Sequence, residues 1–169
     1  MDSGRCHSRQ VLRNTAWINA ELTKPYCGEL DENGNDLSPC PQQPLAEKGT
    51  QLPVTPEFKG NLSARYNFAL GSWDAHVQGV FAYVGDRWPD LRTEQREILG
   101  KVEAYTIADF TAGLARGGYT LELFVNNAFD ERGQLDRWAQ CDASICGSSG
   151  TYITPIMPRT IGLRFGQRF

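Results

Sequence analysis

The sequence predicts an all-β protein: an antiparallel transmembrane β-barrel segment, about six strands of a larger barrel, with long extracellular loops and short periplasmic turns. Three observations support this fold class. Six segments alternate apolar and polar side chains with a period of two. These segments are long compared with the strands of water-soluble proteins. The connections between them are alternately long and short.

The first predicted strand covers residues 15–22, with Ala16 and Leu22 at the two ends of its apolar face. The remaining predicted strands cover residues 60–70, 73–85, 105–114, 119–126 and 158–169. No charged side chain falls on a predicted apolar position. Alternation of this kind fits a water-soluble β-sandwich as well as a membrane barrel, so it does not decide between the two.

Strand length and connection length favour the membrane barrel. A tilted strand needs about 9–11 residues to cross a bilayer, and most of the predicted strands reach this length. Loops longer than about 15 residues are unusual in a compact domain unless they are functional. Long loops at one end and short turns at the other are typical of outer-membrane barrels. The long connections span residues 24–58, 86–104 and 127–157, and the short ones span 71–72 and 115–118.

Composition excludes several other classes of protein. The net charge of −3 over 169 residues gives no reason to expect a nucleic-acid partner. No apolar run is long enough for a transmembrane helix. The sequence contains no recognisable nucleophile motif and no metal-ligand spacing. We therefore expect no enzyme activity, no cofactor and no metal site.

Four of the five cysteines form two local pairs, Cys27 with Cys40 and Cys141 with Cys146. Both pairs lie in segments rich in Gly, Pro, Asp, Asn and Ser, which indicate loops. The favoured interpretation is two loop disulfides in an oxidising compartment. Free thiols and a four-sulfur zinc site are the alternatives, although zinc pairs are usually closer together in sequence.

Three stretches resemble the C-terminal part of a TonB-dependent outer-membrane receptor. LPVTPEFKGNLSARYNF (52–68) resembles the start of one of its strands. YTIADFTAGLARGGYTLELFVNNAFDER (105–132) is similar to its penultimate hairpin, and PRTIGLRFGQRF (158–169) to its closing strand. The resemblance implies that the alternating apolar residues before a terminal aromatic are an assembly signal read by the barrel-assembly machinery. Its carriers here would be Leu163, Phe165 and Phe169.

The same resemblance implies a function in uptake across the outer membrane of a Gram-negative bacterium. The solute would be scarce, such as siderophore-bound iron, a cobalamin or an oligosaccharide. Ligand contact is expected from the loop aromatics Trp88, Trp138 and Tyr152. The polar strand faces would line the lumen or form charge pairs between strands; the candidates are Arg65, Asp74, His76, Asp109, Glu122 and Arg164.

The expected partners are outer-membrane lipid, the rest of the receptor barrel and its plug, the TonB system through a missing N-terminal part, and a small-molecule ligand. Residues 1–14 are expected to form a poorly ordered leader or fragment start, and residues 15–169 the C-terminal part of the receptor barrel. MDSGRCHSRQ at the start is not a signal peptide, and six strands leave two unpaired edges in lipid.

We therefore expect a fragment or truncated reading frame that is not active alone. The alternatives are a secreted, disulfide-stapled β-sandwich binding module and a passive porin.

Overall fold

The computed structural model describes residues 7–29, 32–34, 39–40, 42–139 and 150–168. Within these ranges the chain forms eight strands and one short helix. In chain order the elements are β1 Ser8–Trp17, β2 Phe58–Leu70, β3 Trp73–Val84, α1 Thr93–Leu99, β4 Tyr105–Arg116, β5 Tyr119–Asn126, β6 Gln134–Ala139, β7 Thr151–Pro155 and β8 Thr160–Gln167.

Six of the strands form one antiparallel sheet in the order β1-β2-β3-β4-β5-β8. The sheet is open, with β1 and β8 at its edges. Tight turns join β2 to β3 and β4 to β5 at one end, which we call the short-turn end. The other end, the long-loop end, carries loop 1 (18–57), loop 2 (85–104) and loop 3 (127–159). The predicted fold class is confirmed.

The first strand lies earlier in the chain than predicted. The alternation places it at residues 15–22, whereas β1 ends at Trp17, which pairs with Phe58 at the start of β2. Because β2 begins at Phe58, residues after Trp17 have no partner in the sheet. They join loop 1 instead, where Glu21 bridges to Gln51. β1 also takes up residues 8–14 of the segment expected to be a leader.

This shift changes which side chains of β1 lie on which face. Ala16, expected on the apolar face, pairs with Lys59 on the polar face. The apolar face instead receives Arg9 and Arg13, together with Trp17. The prediction that no charged side chain lies on the apolar face is therefore wrong for β1. Charged residues occupy positions on the apolar face of this strand, so the alternation of apolar residues becomes regular only after them. The alternation therefore predicts a strand that begins too late in the chain.

The apolar face of the sheet is not covered by a second layer within the described residues. Leu62, Leu121 and Leu163 on this face are 44%, 46% and 72% exposed. Most of the buried hydrophobic residues lie at the long-loop end instead; among them are Ala46, Leu99, Val102, Tyr105 and Ile156. A β-sandwich would bury this face against another sheet. An exposed apolar surface of this extent indicates contact with a membrane or a partner protein.

Aromatic side chains mark both ends of the apolar face. Trp17, Phe58 and Tyr83 form a row at the long-loop end, with ring centroids 6.0 and 5.9 Å apart. Trp73 lies at the short-turn end, under the guanidinium of Arg116. The stretch from Trp73 to Tyr83, tilted as in a barrel, spans about 25 Å at about 3.3 Å per residue. This is the height of the apolar band between the two aromatic girdles of an outer-membrane barrel.

The long loops contain regular structure that period-two alternation did not predict. Loop 2 contains α1, which buries Gln95 and Leu99 on one side and is followed by Gly100, its C-cap residue, with a positive φ of 68°. Loop 3 contains the separate β6–β7 hairpin. Both elements are short, and α1 has the spacing of a helix rather than that of a strand. No helix among the described residues is long and apolar enough to cross a membrane.

Candidate functional site

A continuous row of mostly polar residues crosses the polar face of the sheet, one residue from each strand. We call this set the polar row: Ser8, Asn67, His76, Gly113, Glu122 and Arg164. Each member is the direct register partner of the next, so antiparallel pairing alone brings together side chains that are far apart in sequence. The row runs from one edge of the sheet to the other.

Glu122 is the acidic residue of the polar row and lies between its two basic side chains. Its Oε1 accepts a hydrogen bond from Nη1 of Arg164 on the neighbouring strand. Its Oε2 lies 3.6 Å from Nε2 of His76 on the other side. This separation is within reach of an ion pair but too long for a hydrogen bond, and Nε2 of His76 is buried without a hydrogen-bond partner. Glu122 therefore holds two basic side chains on the same face.

Gly113 makes the contact between His76 and Glu122 possible. It lies between them in the register, on β4. A Cβ atom on Gly113 would overlap the imidazole of His76, at 2.9 Å from both ring nitrogens and closer still to Cε1. The absence of a side chain on β4 lets His76 reach across one strand to the carboxylate. Glycine within a strand often marks such a close approach.

A second branch of hydrogen bonds continues toward β1. Arg65 donates from Nε to Oδ1 of Asn67 at 3.0 Å and from Nη1 to Oε1 of Gln78 at 3.2 Å. Asn67 in turn donates from Nδ2 to Oγ of Ser8 at 3.0 Å. The polar face is thus a connected network on β1 to β3. Such a face suits contact with water or with a polar solute.

The three loops at the long-loop end are joined by arginine side chains. Arg87 in loop 2 is 4% exposed and lies 5.7 Å from the ring centroid of Tyr105. Its guanidinium donates to the carbonyls of Gly85 at 3.4 Å, Gln134 at 3.0 Å and Leu135 at 2.6 Å. The last two carbonyls belong to loop 3. Loop 2 therefore holds the base of the β6–β7 hairpin.

Two further arginines complete these connections. Arg96 on α1 donates to the carbonyl of Gln51 in loop 1 and, at 2.7 Å, to that of Asp90. Arg137 on β6 donates to the carbonyl of Leu99 at 3.0 Å, near the C-terminus of α1. All three loops are therefore tied to α1 or its flanks. Their described parts form one connected set of contacts at the long-loop end, which we call the loop layer.

Asn127 closes the base of loop 3. It is 3% exposed and adopts a positive φ of 48°. Its Nδ2 donates to the carbonyls of Glu131 at 3.0 Å and Met157 at 2.9 Å, which joins the two ends of the loop. Its backbone N–H donates to Oδ1 of Asp109 at 2.8 Å. Asparagine tolerates this left-handed conformation better than most residues.

The candidate loop aromatics lie in two places. Trp138 and Tyr152 are direct partners on β6 and β7. Their rings stack at 4.8 Å with an interplanar angle of 19°, and both residues are 47% exposed. Trp88 lies in loop 2, beneath the guanidinium of Arg96 and the ammonium of Lys101. The hairpin therefore presents a flat aromatic surface, and loop 2 presents an aromatic ring covered by cations.

The Sγ atoms of Cys27 and Cys40 lie 1.99 Å apart, the distance of a disulfide bond. Cys141, Cys146 and Phe169 lie outside the described residues, so their predicted roles stay predictions. Among the residues that the structure describes, no group of His, Cys, Asp or Glu is arranged to hold a metal ion.

The comparison with protein families decides the class of protein. The family model described as TonB dependent receptor-like, beta-barrel matches residues 14–128. This match covers more than half of the chain. The chain belongs to the TonB-dependent receptor-like β-barrel family. Neither a curated protein nor a solved structure matches it.

Within this receptor barrel segment, the structure brings four of the six candidate lumen residues together. His76, Glu122 and Arg164 belong to the polar row, and Arg65 is bonded to it. Asp74 lies at the short-turn end, where its register partners are Ala69 and Ala115. Asp109 lies near the long-loop end and supports loop 3 through Asn127.

Three residues with structural roles in this receptor segment were not identified from the sequence. Gly113 had a usable signal, because a glycine on the charged face of a strand indicates a close approach. Asn127 lies within the quoted stretch 105–132, but nothing in one sequence assigns it a structural role. Nothing in the sequence pointed to Arg87, since the two acceptors that join it to loop 3 are backbone carbonyls more than forty positions away.

Proposed function

We propose that this chain forms part of the wall of an outer-membrane receptor that takes up a scarce solute with energy supplied through the TonB system. The observation that carries the proposal is the two-faced sheet of a receptor-family barrel: one face is apolar, exposed and bounded by aromatic rows, and the other carries the polar row. Outer-membrane barrels show this division between the lipid side and the lumen.

The proposed orientation follows from the loops. The long-loop end is extracellular and the short-turn end is periplasmic, as in outer-membrane barrels generally. The apolar face contacts lipid, and the polar face lines the lumen, where Arg65, His76, Glu122 and Arg164 meet the plug or the passing solute. The Cys27–Cys40 disulfide then lies in an oxidising compartment, where such bonds persist.

In this proposal the connected loop layer captures the ligand. Trp138 and Tyr152 offer a stacked pair of rings, and Trp88 lies close to the basic groups of Arg96 and Lys101. Flat aromatic surfaces suit the apolar faces of sugars and planar ring systems, and cations suit acidic chelates. The proposed solute classes are siderophore-bound iron, cobalamins and oligosaccharides.

The open sheet requires completion. Backbone groups at the free edges of β1 and β8 would be unpaired in lipid, at several kcal/mol per group. We therefore propose that further strands and a plug complete the receptor, and that the barrel-assembly machinery reads Leu163, Phe165 and Phe169. Deleting Phe169 should lower the amount of heat-modifiable barrel, and unchanged assembly would contradict this role.

Uptake measurements test the receptor function. Cells that carry the complete barrel should accumulate one labelled solute class from a panel of ferric siderophores, cobalamins and oligosaccharides, and should stop when the TonB system is deleted. A matched pair of variants, Trp138→Ala and exposed Leu135→Ala, tests the loops: we expect only the former to weaken ligand binding. Uptake that persists without the TonB system would indicate a passive porin and contradict the proposal.

A further inference from the structure

The apolar face of the sheet contains a groove near its centre. The groove has a volume of about 390 Å³, which is within the range of small-ligand sites. Its floor is formed by Ala64 and Gly79, which are direct partners on β2 and β3. Val11 and Phe110 are their partners on the outer sides, so these two side chains form its walls. Small residues flanked by larger ones produce the depression.

A basic residue lies at one end of this groove. Arg9 of β1 lines the groove and pairs with Tyr66, and its guanidinium lies 5.8 Å from the centre of the Tyr66 ring. Within the described residues, Arg9 has no carboxylate partner. A guanidinium on a hydrocarbon-facing surface is destabilising unless its charge is paired or it reaches the interface. The described residues supply the apolar groove and the cation, but not the anion.

The position of Arg9 indicates the membrane leaflet. Tyr66 lies four residues from the end of β2 at Leu70, on the short-turn side of the groove. Its level is about 10 Å above that of Trp73, from the rise and tilt of barrel strands. An arginine at this depth can snorkel to the periplasmic headgroups. The groove extends from Arg9 to the level of Ala64 and Gly79, in the middle of the apolar band, where the end of an acyl chain lies.

We propose that this groove binds one phospholipid of the periplasmic leaflet, with its phosphate on Arg9 and an acyl chain between Val11 and Phe110. The inference rests on the proposed orientation of the apolar face toward lipid. It commits to a phosphate-bearing lipid because guanidinium and phosphate form strong, directed hydrogen bonds. Binding of the acyl chain contributes affinity through burial of apolar area.

Native mass spectrometry of the complete barrel in detergent tests this site, with phosphatidylglycerol as the probe. Diacylglycerol with the same chains, inorganic phosphate and lipopolysaccharide serve as comparison ligands. We expect one phosphatidylglycerol per barrel and weaker binding of each comparison ligand. Arg9→Gln should lower the affinity about tenfold, the effect of losing a charged hydrogen bond. Gly79→Leu, which fills the groove, should lower it as well.

Arg13→Gln is the matched control, because Arg13 lies on the same face of β1 but does not line the groove. Affinity that falls equally in Arg9→Gln and Arg13→Gln would overturn the proposal, as would equal binding of diacylglycerol or tighter binding of lipopolysaccharide. Heat-modifiability of each variant separates this outcome from failure of the barrel. An inserted, heat-modifiable barrel without a retained phospholipid contradicts only the lipid site.

Discussion

At the scale of single residues, the polar row depends on the absence of a side chain at Gly113. The imidazole of His76 occupies the space where a Cβ of residue 113 would lie. Side chains on a crowded sheet face cannot move apart without shifting the backbone. Because His76 and Glu122 are on strands separated by β4, their contact requires the intervening residue to have no side chain.

Gly113→Ala is therefore expected to destabilise the barrel by about 1–3 kcal/mol, the usual effect of overpacking. Adding His76→Ala to this variant should restore part of the loss, since it removes the ring that the new methyl group meets. Urea unfolding in lipid vesicles measures both effects. Gly79→Ala is the control. A Cβ at this position would lie 3.4 Å from the ring of Phe110, an ordinary van der Waals separation, so little overpacking is expected. Equal destabilisation by the two alanines would contradict the special role of Gly113.

Arg87 provides a second residue-scale prediction. Arg87→Gln removes the charged hydrogen bonds to two part-buried carbonyls of loop 3, and a hydrogen bond from a charged group contributes about 1.5–3 kcal/mol. We expect faster hydrogen exchange at the base of the β6–β7 hairpin and in loop 2, with unchanged exchange in the central strands. Arg132→Gln, at a side chain that is 78% exposed, should leave exchange unaltered. Unchanged protection in Arg87→Gln would show that the loops are held in another way.

At the scale of elements, the sequence predicted the strands better than the loops. The five strands from β2 to β5 and β8 follow a clear alternation, since each has one face in an apolar environment. β1 was misplaced because Arg9 and Arg13 interrupt its apolar positions. The loop contacts were not predictable, because Arg87, Arg96 and Arg137 donate to backbone carbonyls, and any residue supplies a carbonyl.

Loop 2 should respond to acid. Partial burial acts to raise the pKa of Asp90, but hydrogen bonds from the guanidinium and backbone N–H of Arg92, together with the charge of that guanidinium, lower the pKa below its ordinary value of 3.8. The carboxylate therefore stabilises the fold fully above about pH 4, and this contribution is lost as the pH falls through the lowered pKa.

Hydrogen exchange of the amides of α1 as a function of pH measures this contribution. We expect protection of α1 to fall below about pH 4 relative to the central strands. Asp90→Asn should weaken the protection at neutral pH and remove most of this acid dependence. An unchanged pH profile in Asp90→Asn would contradict the assignment of the effect to this carboxylate.

At the scale of the whole molecule, the described residues bury few apolar side chains on the sheet, where a water-soluble β-protein has its core. The buried hydrophobic residues lie mostly in the loops, and the large apolar surface of the sheet is exposed. The alternation in sequence revealed this surface but not the environment that it faces. Strand length, the alternation of loop lengths and the family match together indicate lipid.

Leu123→Arg, on the apolar face, should lower the free energy of unfolding in lipid vesicles by about 2–4 kcal/mol, the effect of an unpaired charge on the lipid-facing surface of the bilayer interior. Glu122→Arg, one residue away on the polar face, should cost less because the side chain stays in a polar environment, although it loses the bond from Arg164. Equal losses in the two variants would contradict the assignment of the faces.

The central claim is that the apolar face touches hydrocarbon rather than a second protein layer. Nitroxide labels at positions 122 and 123 of the complete barrel in vesicles, with native cysteines replaced, test it most directly by their collisions with oxygen and with a water-soluble nickel complex. We predict that the label at 123 collides more with oxygen, which concentrates in the bilayer, and that the label at 122 collides more with nickel. A label at 123 that is shielded from both reagents would contradict the claim.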